Sequence, residues 1–275
     1  MEQAIRAAVA YAAAHGIRSA EPAVLKDGSN VLVHLRPAPV VARVAGTTGL
    51  VRHPVANWFA REVSLVDHLL GHGSPVVSPT PELPRGPVVH DGLTMSFWTF
   101  VPHDPAVSIK PVDFALSLAS LHRALADYSG PLPTSGPLDD ILLGLPLVGE
   151  HAPVLRAEHE RLSALLPTGG QALHGDAHPG NVLATPAGLV WNDFEDTWRG
   201  PIEWDLAVLA RTRLLDGEAA LAAYPDPFDA DLVELCREIR WLQVQVWMQA
   251  SVRRNPARKI EVDAELTRWI AHHRR

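Results

Sequence analysis

One cysteine, Cys236, stands in 275 residues, and that scarcity removes two chemistries. No intramolecular disulfide can form, and no cysteine-based zinc site can be built. Set in a helical pattern, Cys236 reads as a small buried apolar residue. Long apolar runs are missing as well: none reaches the roughly 18 residues a membrane helix needs. The alanine-rich start over residues 7–14 has no basic leader and no full apolar region, so it reads as a first helix and not a signal peptide. The expectation is a cytoplasmic protein with no membrane partner. Nor is there a basic excess. With 24 Lys and Arg against 31 Asp and Glu, the formal charge is -7, whereas a nucleic-acid partner demands a basic face. The chain shows no repeats and no low-complexity tail.

What is present is enough apolar material, 47% of the residues, for a substantial core. The length exceeds a usual single domain, which favours two lobes of unequal size, taken as residues 1–100 and 101–275. In the first lobe, Val31 to Leu35 and Val40 to Val44 are β-branched runs that read as two strands of a small antiparallel sheet. Phe59, Val63, Val66 and Leu70 recur at helical spacing after them. Residues 94–101, with Met95, Phe97, Trp98, Phe100 and Val101, look like a buried strand that Pro102 ends. The second lobe should be mainly helical. Phe114, Leu118, Leu121 and Leu125 make one stripe, and Leu232, Leu235, Ile239, Leu242 and Val246 another, on a long helix over residues 229–253. A last helix starts near Glu261, and the proline- and glycine-bearing residues 131–153 read as a loop-rich insert.

The most informative stretch is His174-Gly175-Asp176-Ala177-His178-Pro179-Gly180-Asn181, followed by a hairpin pattern leading to Trp191-Asn192-Asp193-Phe194. It sets a carboxylate, an amide five residues on and a second carboxylate twelve beyond into one short unit. One acid can accept a hydroxyl proton. The other acid and the amide are hard oxygen ligands suited to Mg2+, which binds through one or two carboxylates plus substrate phosphates. In the kinase template an Asp positions the nucleophile, an Asn after four intervening residues holds metal, and an Asp-Phe turn holds metal against the nucleotide. Asp176, Asn181 and Asp193-Phe194 fill those places in order. Two other readings compete. Asp, Asn, Gly and Pro are ordinary turn residues. His174, Asp176 and His178 also alternate as the ligands of a metal-dependent hydrolase would, although Gly175, Pro179 and Gly180 favour a turn over the strand such alternation needs.

Together with residues 190–196 and the following residues 199–210, this loop resembles the aminoglycoside phosphotransferase family, small-molecule relatives of protein kinases. The resemblance spans residues 24–250 or so. It implies an α+β, two-lobed protein-kinase-like fold, with a small antiparallel sheet plus helix in the N-lobe and a mainly helical C-lobe. ATP and Mg2+ would be the cosubstrate and cofactor, and the second partner a small-molecule hydroxyl compound, possible acceptors including antibiotics such as aminoglycosides. On the same footing Asp176 is expected as catalytic base, Asn181 and Asp193 as metal ligands, Asp205 as the helix acid that braces the catalytic loop, and His174 as structural support through packing. His178 and Glu195 are further candidates for contact with metal or substrate.

In the first lobe the resemblance assigns Gly28, Ser29 and Asn30, in the turn after Asp27, to the nucleotide phosphates, where backbone N–H groups can meet anionic oxygens; a plain hairpin turn is the competing reading. Arg43 stands where the family usually has a strand lysine. A guanidinium can hold phosphate and carboxylate oxygens bidentately, with a different reach, and Glu62 on the next helix is its expected partner. A solvated edge-strand arginine is the alternative. The backbone of Trp98, Thr99, Phe100 and Val101 is expected to meet the adenine at the hinge. The departure at Arg43 and the poor glycine loop keep open a nucleotide binder without turnover. Asp231, Glu234 and Glu238 read as a solvated helix face, with a cationic-substrate pocket as the other option.

Overall fold

Side-chain alternation along extended chain explains the small lobe of the computed structural model, which describes residues 1–273. Five strands, β1 (Ser19–Asp27), β2 (Asn30–Pro37), β3 (Val40–Ala45), β4 (Val88–His90) and β5 (Leu93–Thr99), form one antiparallel sheet in the order β1-β2-β3-β5-β4. On one face, Val31, Val33, Leu35, Val40, Ala42 and Val44 are buried together with Met95 and Phe97. They pack on helix α1 (Glu2–Ala14), whose Ala4, Ala7, Ala8 and Ala12 recur at helical spacing and present only methyl groups to the sheet. The opposite face carries Leu32 paired with Arg43 and Val41 paired with Trp98. Alternation alone therefore turns Arg43 away from the alanine helix and toward the rest of the molecule.

A second, larger core fills the helical lobe. After the single turn α2 (Thr48–Val51), helix α3 (Ala56–Gly71) contributes Val63, Leu65, Val66 and Leu69 to it, joined by Val76 and Val77. The expected stripe on this helix is off by one position at its end, since Leu69 is buried and Leu70 is exposed. Helices α4 (Pro111–Leu125), α5 (Gly136–Gly144), α6 (Ala152–Ser163), α7 (Glu203–Ala210), α8 (Gly217–Ala222), α9 (Ala230–Val252) and α10 (Lys259–His273) build the body. Phe114, Leu118, Leu121 and Leu125 are all buried, as is Cys236. Two short antiparallel pairs complete the architecture: β6 (Gln171–Ala172) with β9 (Arg199–Gly200), and the hairpin of β7 (Val182–Thr185) with β8 (Gly188–Trp191).

Residues 131–153 are not a loop-rich insert. They contain α5, two single 3-10 turns and the start of α6. The prolines mislead because Pro137 and Pro153 occupy first-turn positions, where a helix has no use for the missing N–H. Gly144 is a contact residue: a Cβ there would lie 2.2 Å from Val246 Cγ1, so the absent side chain is what lets α5 close on α9. Asp231, Glu234 and Glu238 are exposed, with Glu238 on Arg161 at 2.7 Å and Glu234 on Arg237 at 3.5 Å. They form a solvated face, not a cationic pocket. Among the described residues no helix is long and apolar enough to cross a membrane.

Candidate active site

The loop after β6 is held by hydrogen bonds that leave its backbone little freedom. Asp205, fully buried in the first turn of α7, accepts the His174 amide on Oδ2 and the Gly175 amide on Oδ1, both at 2.9 Å. His122 Nε2 lies 3.1 Å from the same Oδ2, and Tyr224 meets His122 Nδ1 at 2.8 Å. Trp204 Nε1 donates to the Gly175 carbonyl at 2.8 Å. Gly175 adopts φ +87°, and a Cβ there would fall 2.0 Å from the Asp196 carbonyl, so both backbone shape and space require glycine. His174 is buried between Trp191 and Phe194. Its Nε2 donates to the Asn192 carbonyl at 3.0 Å, and that tautomer lets Nδ1 accept the Asp176 amide at 3.2 Å.

Asp176 leaves this loop with both oxygens engaged. Arg240, projecting from α9, donates to Oδ1. Oδ2 lies 3.2 Å from Asn181 Nδ2 and 3.4 Å from His178 Nε2. Burial on its own would raise this carboxyl; Arg240, then His178, outweigh it and hold it well below the usual carboxylate range. Asn181 also donates to the Asp176 carbonyl at 2.9 Å, while its Oδ1 is buried with no partner. The β7–β8 hairpin brings the chain back at Asn192, whose amide bonds to the Asn181 carbonyl at 3.0 Å. Asp193 follows in the left-handed region, φ 69° and ψ 54°, a conformation Asp tolerates better than most residues.

Two buried arginines organise the acids around this turn. Arg43 donates through Nη1 to Glu62 and through Nη2 to Asp193, with Glu195 at 3.8 Å. Glu62 in turn accepts the Phe194 amide at 2.9 Å. Arg52, only 1% exposed, contacts Asp140 and Asp196 and lies 3.5 Å from Glu195, with the rings of Trp58 and Trp247 within 6 Å of its guanidinium carbon. Two guanidinium groups thus face five carboxylates. Burial and the surplus negative charge both act on these acids. Burial pushes Glu62 up to about 8 against the pull of Arg43, and burial with Asp193 beside it pushes Glu195 up to about 7. Such a cluster favours a bound cation. Among the described residues no three His, Cys, Asp or Glu side chains are grouped as a metal site, and both ring nitrogens of His174 are spent on the Asn192 carbonyl and the Asp176 amide, which counts against the His174, Asp176 and His178 hydrolase reading. A hard divalent ion shared with phosphate needs fewer protein oxygens, and the orphaned Oδ1 of Asn181 with the Asp193 carboxylate fits that donor set.

Three cavities meet here. One of about 200 Å³ lies between the sheet and the helical lobe and is lined by Leu32, Val41, Val66, Val77, Leu183 and the predicted hinge residues Trp98, Thr99, Phe100 and Val101. The Thr99 and Phe100 amides are already spent, on Ser78 and Pro39 carbonyls at 2.9 and 2.8 Å. A larger cavity of about 530 Å³ opens on the other side, with Asp176, Arg240, Trp247 and Arg254 in its wall. Between them a space of about 80 Å³ is bordered by Ser29, Asn30, Arg43, Asp176, Asp193 and Glu195. Gly28 sits at the rim of the large cavity, its carbonyl taken by Arg254 at 2.6 Å. Asn30 braces the acid turn from above by donating to Glu195 Oε2 at 2.7 Å. The predicted residues therefore converge, the hinge stretch lining a cavity whose inner end is formed by Arg43, Glu62 and Asp193. Arg52, Asp140, Asp196 and Arg240 were not singled out from sequence. Asp196 alone had a local signal, its place in the same acidic turn as Asp193.

An antiparallel sheet with a flanking helix, a helical body and a polar seam between them is the arrangement of the protein-kinase-like phosphotransferases. Residues 52–242 match the model of the phosphotransferase enzyme family, and the chain belongs to that family; it is a small-molecule phosphotransferase. Solved structures share the fold across nearly the whole length. Choline kinase LicA from Streptococcus pneumoniae gives a TM-score of 0.66 at 14% identity, over 97% of this chain and 99% of that one. The GDP and kanamycin complex of APH(2")-IIia gives 0.64 at 17%, over 96% of each chain. Amicoumacin kinase hAmiN, in complex with AMP-PNP and Ca2+, gives 0.65 at 12%, over 91% and 86%.

Proposed function

We propose that the protein transfers the γ-phosphoryl group of ATP to a hydroxyl of a small molecule, with Asp176 as the proton acceptor. The convergence of Asp176, Asp193 and Arg43 on the seam between a largely apolar slot and a larger cavity, with Asn181 hydrogen-bonded to Asp176, carries this reading. The slot suits a purine: Leu32, Val41, Val66, Val77 and Leu183 give it apolar walls beside Arg43 and Asp193, and with the Thr99 and Phe100 amides spent within the protein, the Val101 amide is left for a base edge. Arg43 faces the α- and β-phosphates while anchored by Glu62, and the backbone of Gly28 and Ser29 covers them. Asn181 and Asp193 would hold Mg2+, which when bound neutralises phosphate charge in the transition state. On the far side the acceptor hydroxyl gives its proton to Asp176 as its oxygen bonds to the γ-phosphorus and ADP departs. Asp205 and His174 act through the loop they hold, fixing the base before substrate arrives.

Asp176→Ala should lower turnover by at least about 100-fold, the size of a lost general base, while a thermal-shift titration still shows Mg-ATP binding. Asp193→Ala should instead remove the Mg2+ dependence of that binding. Retention of more than about a tenth of wild-type turnover by Asp176→Ala would place the base elsewhere.

A further inference from the structure

Relatives whose printed names include choline and kanamycin act on or bind molecules that carry cationic nitrogen. Recognition of such a molecule draws on carboxylates or aromatic faces, and in this chain's acceptor-side cavity each carboxylate already has a partner. Asp27 is held by Arg254 at 2.6 Å, Asp196 by Arg52, and Asp176 by Arg240. Glu195 accepts from Asn30 at 2.7 Å and Thr48 at 3.2 Å, with Arg52 at 3.5 Å. An amine entering here would compete with the arginines already on these acids and would meet the Arg240 cation beside the base.

The wall formed by α9 and its extension has the opposite character. Arg240, Gln243, Trp247, Ser251, Arg254 and Arg258 line it at helical spacing with no acid among them, Arg254 being paired with Asp27 across the cavity and Arg258 with Glu261 beside it. Val244 and Met248 add apolar surface to the same wall. Arg240 is the innermost of its cations and about a fifth exposed; Gln243 Oε1 orients it from the side at 2.7 Å, and Gln243 is itself anchored on Asp140 at 3.2 Å. A guanidinium presents five N–H donors in a rigid fork. Here one goes to Gln243 and one to Asp176, and the fork shape suits a second carboxylate bidentately.

We propose that the acceptor is a hydroxy compound bearing a carboxylate, and that Arg240 is the residue that selects it. The inference rests on the phosphotransferase reading above. Without substrate, Arg240 occupies one oxygen of the base; a substrate carboxylate shares that cation and frees Asp176 Oδ1 toward the hydroxyl, so that recognition and activation of the base are one event. The reaction itself is unchanged: the O–H proton passes to Asp176, the acceptor oxygen bonds to the γ-phosphorus, and the bond from that phosphorus to the bridging oxygen of ADP breaks.

Three matched sets of acceptors on the same carbon skeletons, hydroxy acids, their amides and the corresponding amino alcohols, incubated with Mg-ATP and read by mass spectrometry, test this. Hydroxy acids should be phosphorylated with kcat/KM at least about tenfold above their amides, the scale of a charge-assisted hydrogen-bond pair. Arg240→Gln should raise KM for the hydroxy acids by about 10- to 100-fold with a much smaller effect on the amides, and Arg240→Lys should recover part of the loss. Equal loss of kcat across all three sets would reduce Arg240 to a brace for Asp176 and overturn its selective role. Preferred transfer to amides or amino alcohols by the wild type overturns the inference and leaves the phosphotransferase reading standing. Absence of transfer to every set overturns this inference, and failure to bind Mg-ATP in a thermal-shift titration as well would defeat the phosphotransferase reading with it.

Discussion

Arg43 serves two buried carboxylates and the partly exposed Asp193 with one cation, and its planar fork is what makes that possible. Nη1 reaches Glu62 and Nη2 reaches Asp193 from a single side chain on β3, where an ammonium would act as one point charge. Removing it leaves those acids facing one another in a buried site. Arg43→Met should therefore cost about 3–5 kcal/mol of folding stability, the penalty for stranding a buried charge, read from urea denaturation. Arg43→Lys should fall between wild type and Arg43→Met in stability and weaken ATP binding. A loss below about 1 kcal/mol for Arg43→Met would mean that the acids take up protons instead of relying on the guanidinium, against the central place given to this side chain.

Elements follow from how far apart their determining residues lie. The β7–β8 hairpin and the loop before it are legible in sequence because turn residues and alternation act within a dozen positions, so the spacing of Asp176, Asn181 and Asp193 could be matched to the kinase template. Helix α5 was hidden because its prolines resemble loop punctuation until their first-turn positions are known, and because Gly144 earns its place only through Val246, about a hundred residues on. That contact makes a direct prediction. Gly144→Ala should overpack the α5–α9 contact and cost about 1–3 kcal/mol, seen as a lower Tm. Val246→Ala alone opens a void, yet added to Gly144→Ala it should restore part of the stability, since the two changes compensate in one space. Strict additivity of the two losses would mean that the close approach is not what sets the helix spacing. The pairs Arg52–Asp140 and Arg240–Asp176 escaped for the same reason: they span 88 and 64 residues, and neither arginine has a local signature separating it from a surface cation.

The whole molecule is tied across its seam by Arg52, which follows α2, reaches Asp140 on α5 and Asp196 after β8, and lies between Trp58 and Trp247. Thr48 and Asn30 reinforce the tie from the sheet side through Glu195. Cys236 offers an independent reading of this coupling. It is fully buried in α9, and burial pushes its thiol up to about 12. At pH 8 about one native thiol in ten thousand is then thiolate, against about a quarter in unfolded chain, and the thiolate is the reactive form. Native protein should therefore react with a thiol reagent only through opening. Arg52→Met should leave buried acids uncompensated, cost about 3–5 kcal/mol, and speed Cys236 labelling at pH 8 by more than about 100-fold if the lobes and α9 open as one unit. Mg-ATP should slow labelling in the wild type by mass action on the closed form. Faster urea unfolding of Arg52→Met with unchanged Cys236 labelling would show that the seam opens without the helical body, and that the two cores are coupled less tightly than the buried ion network implies.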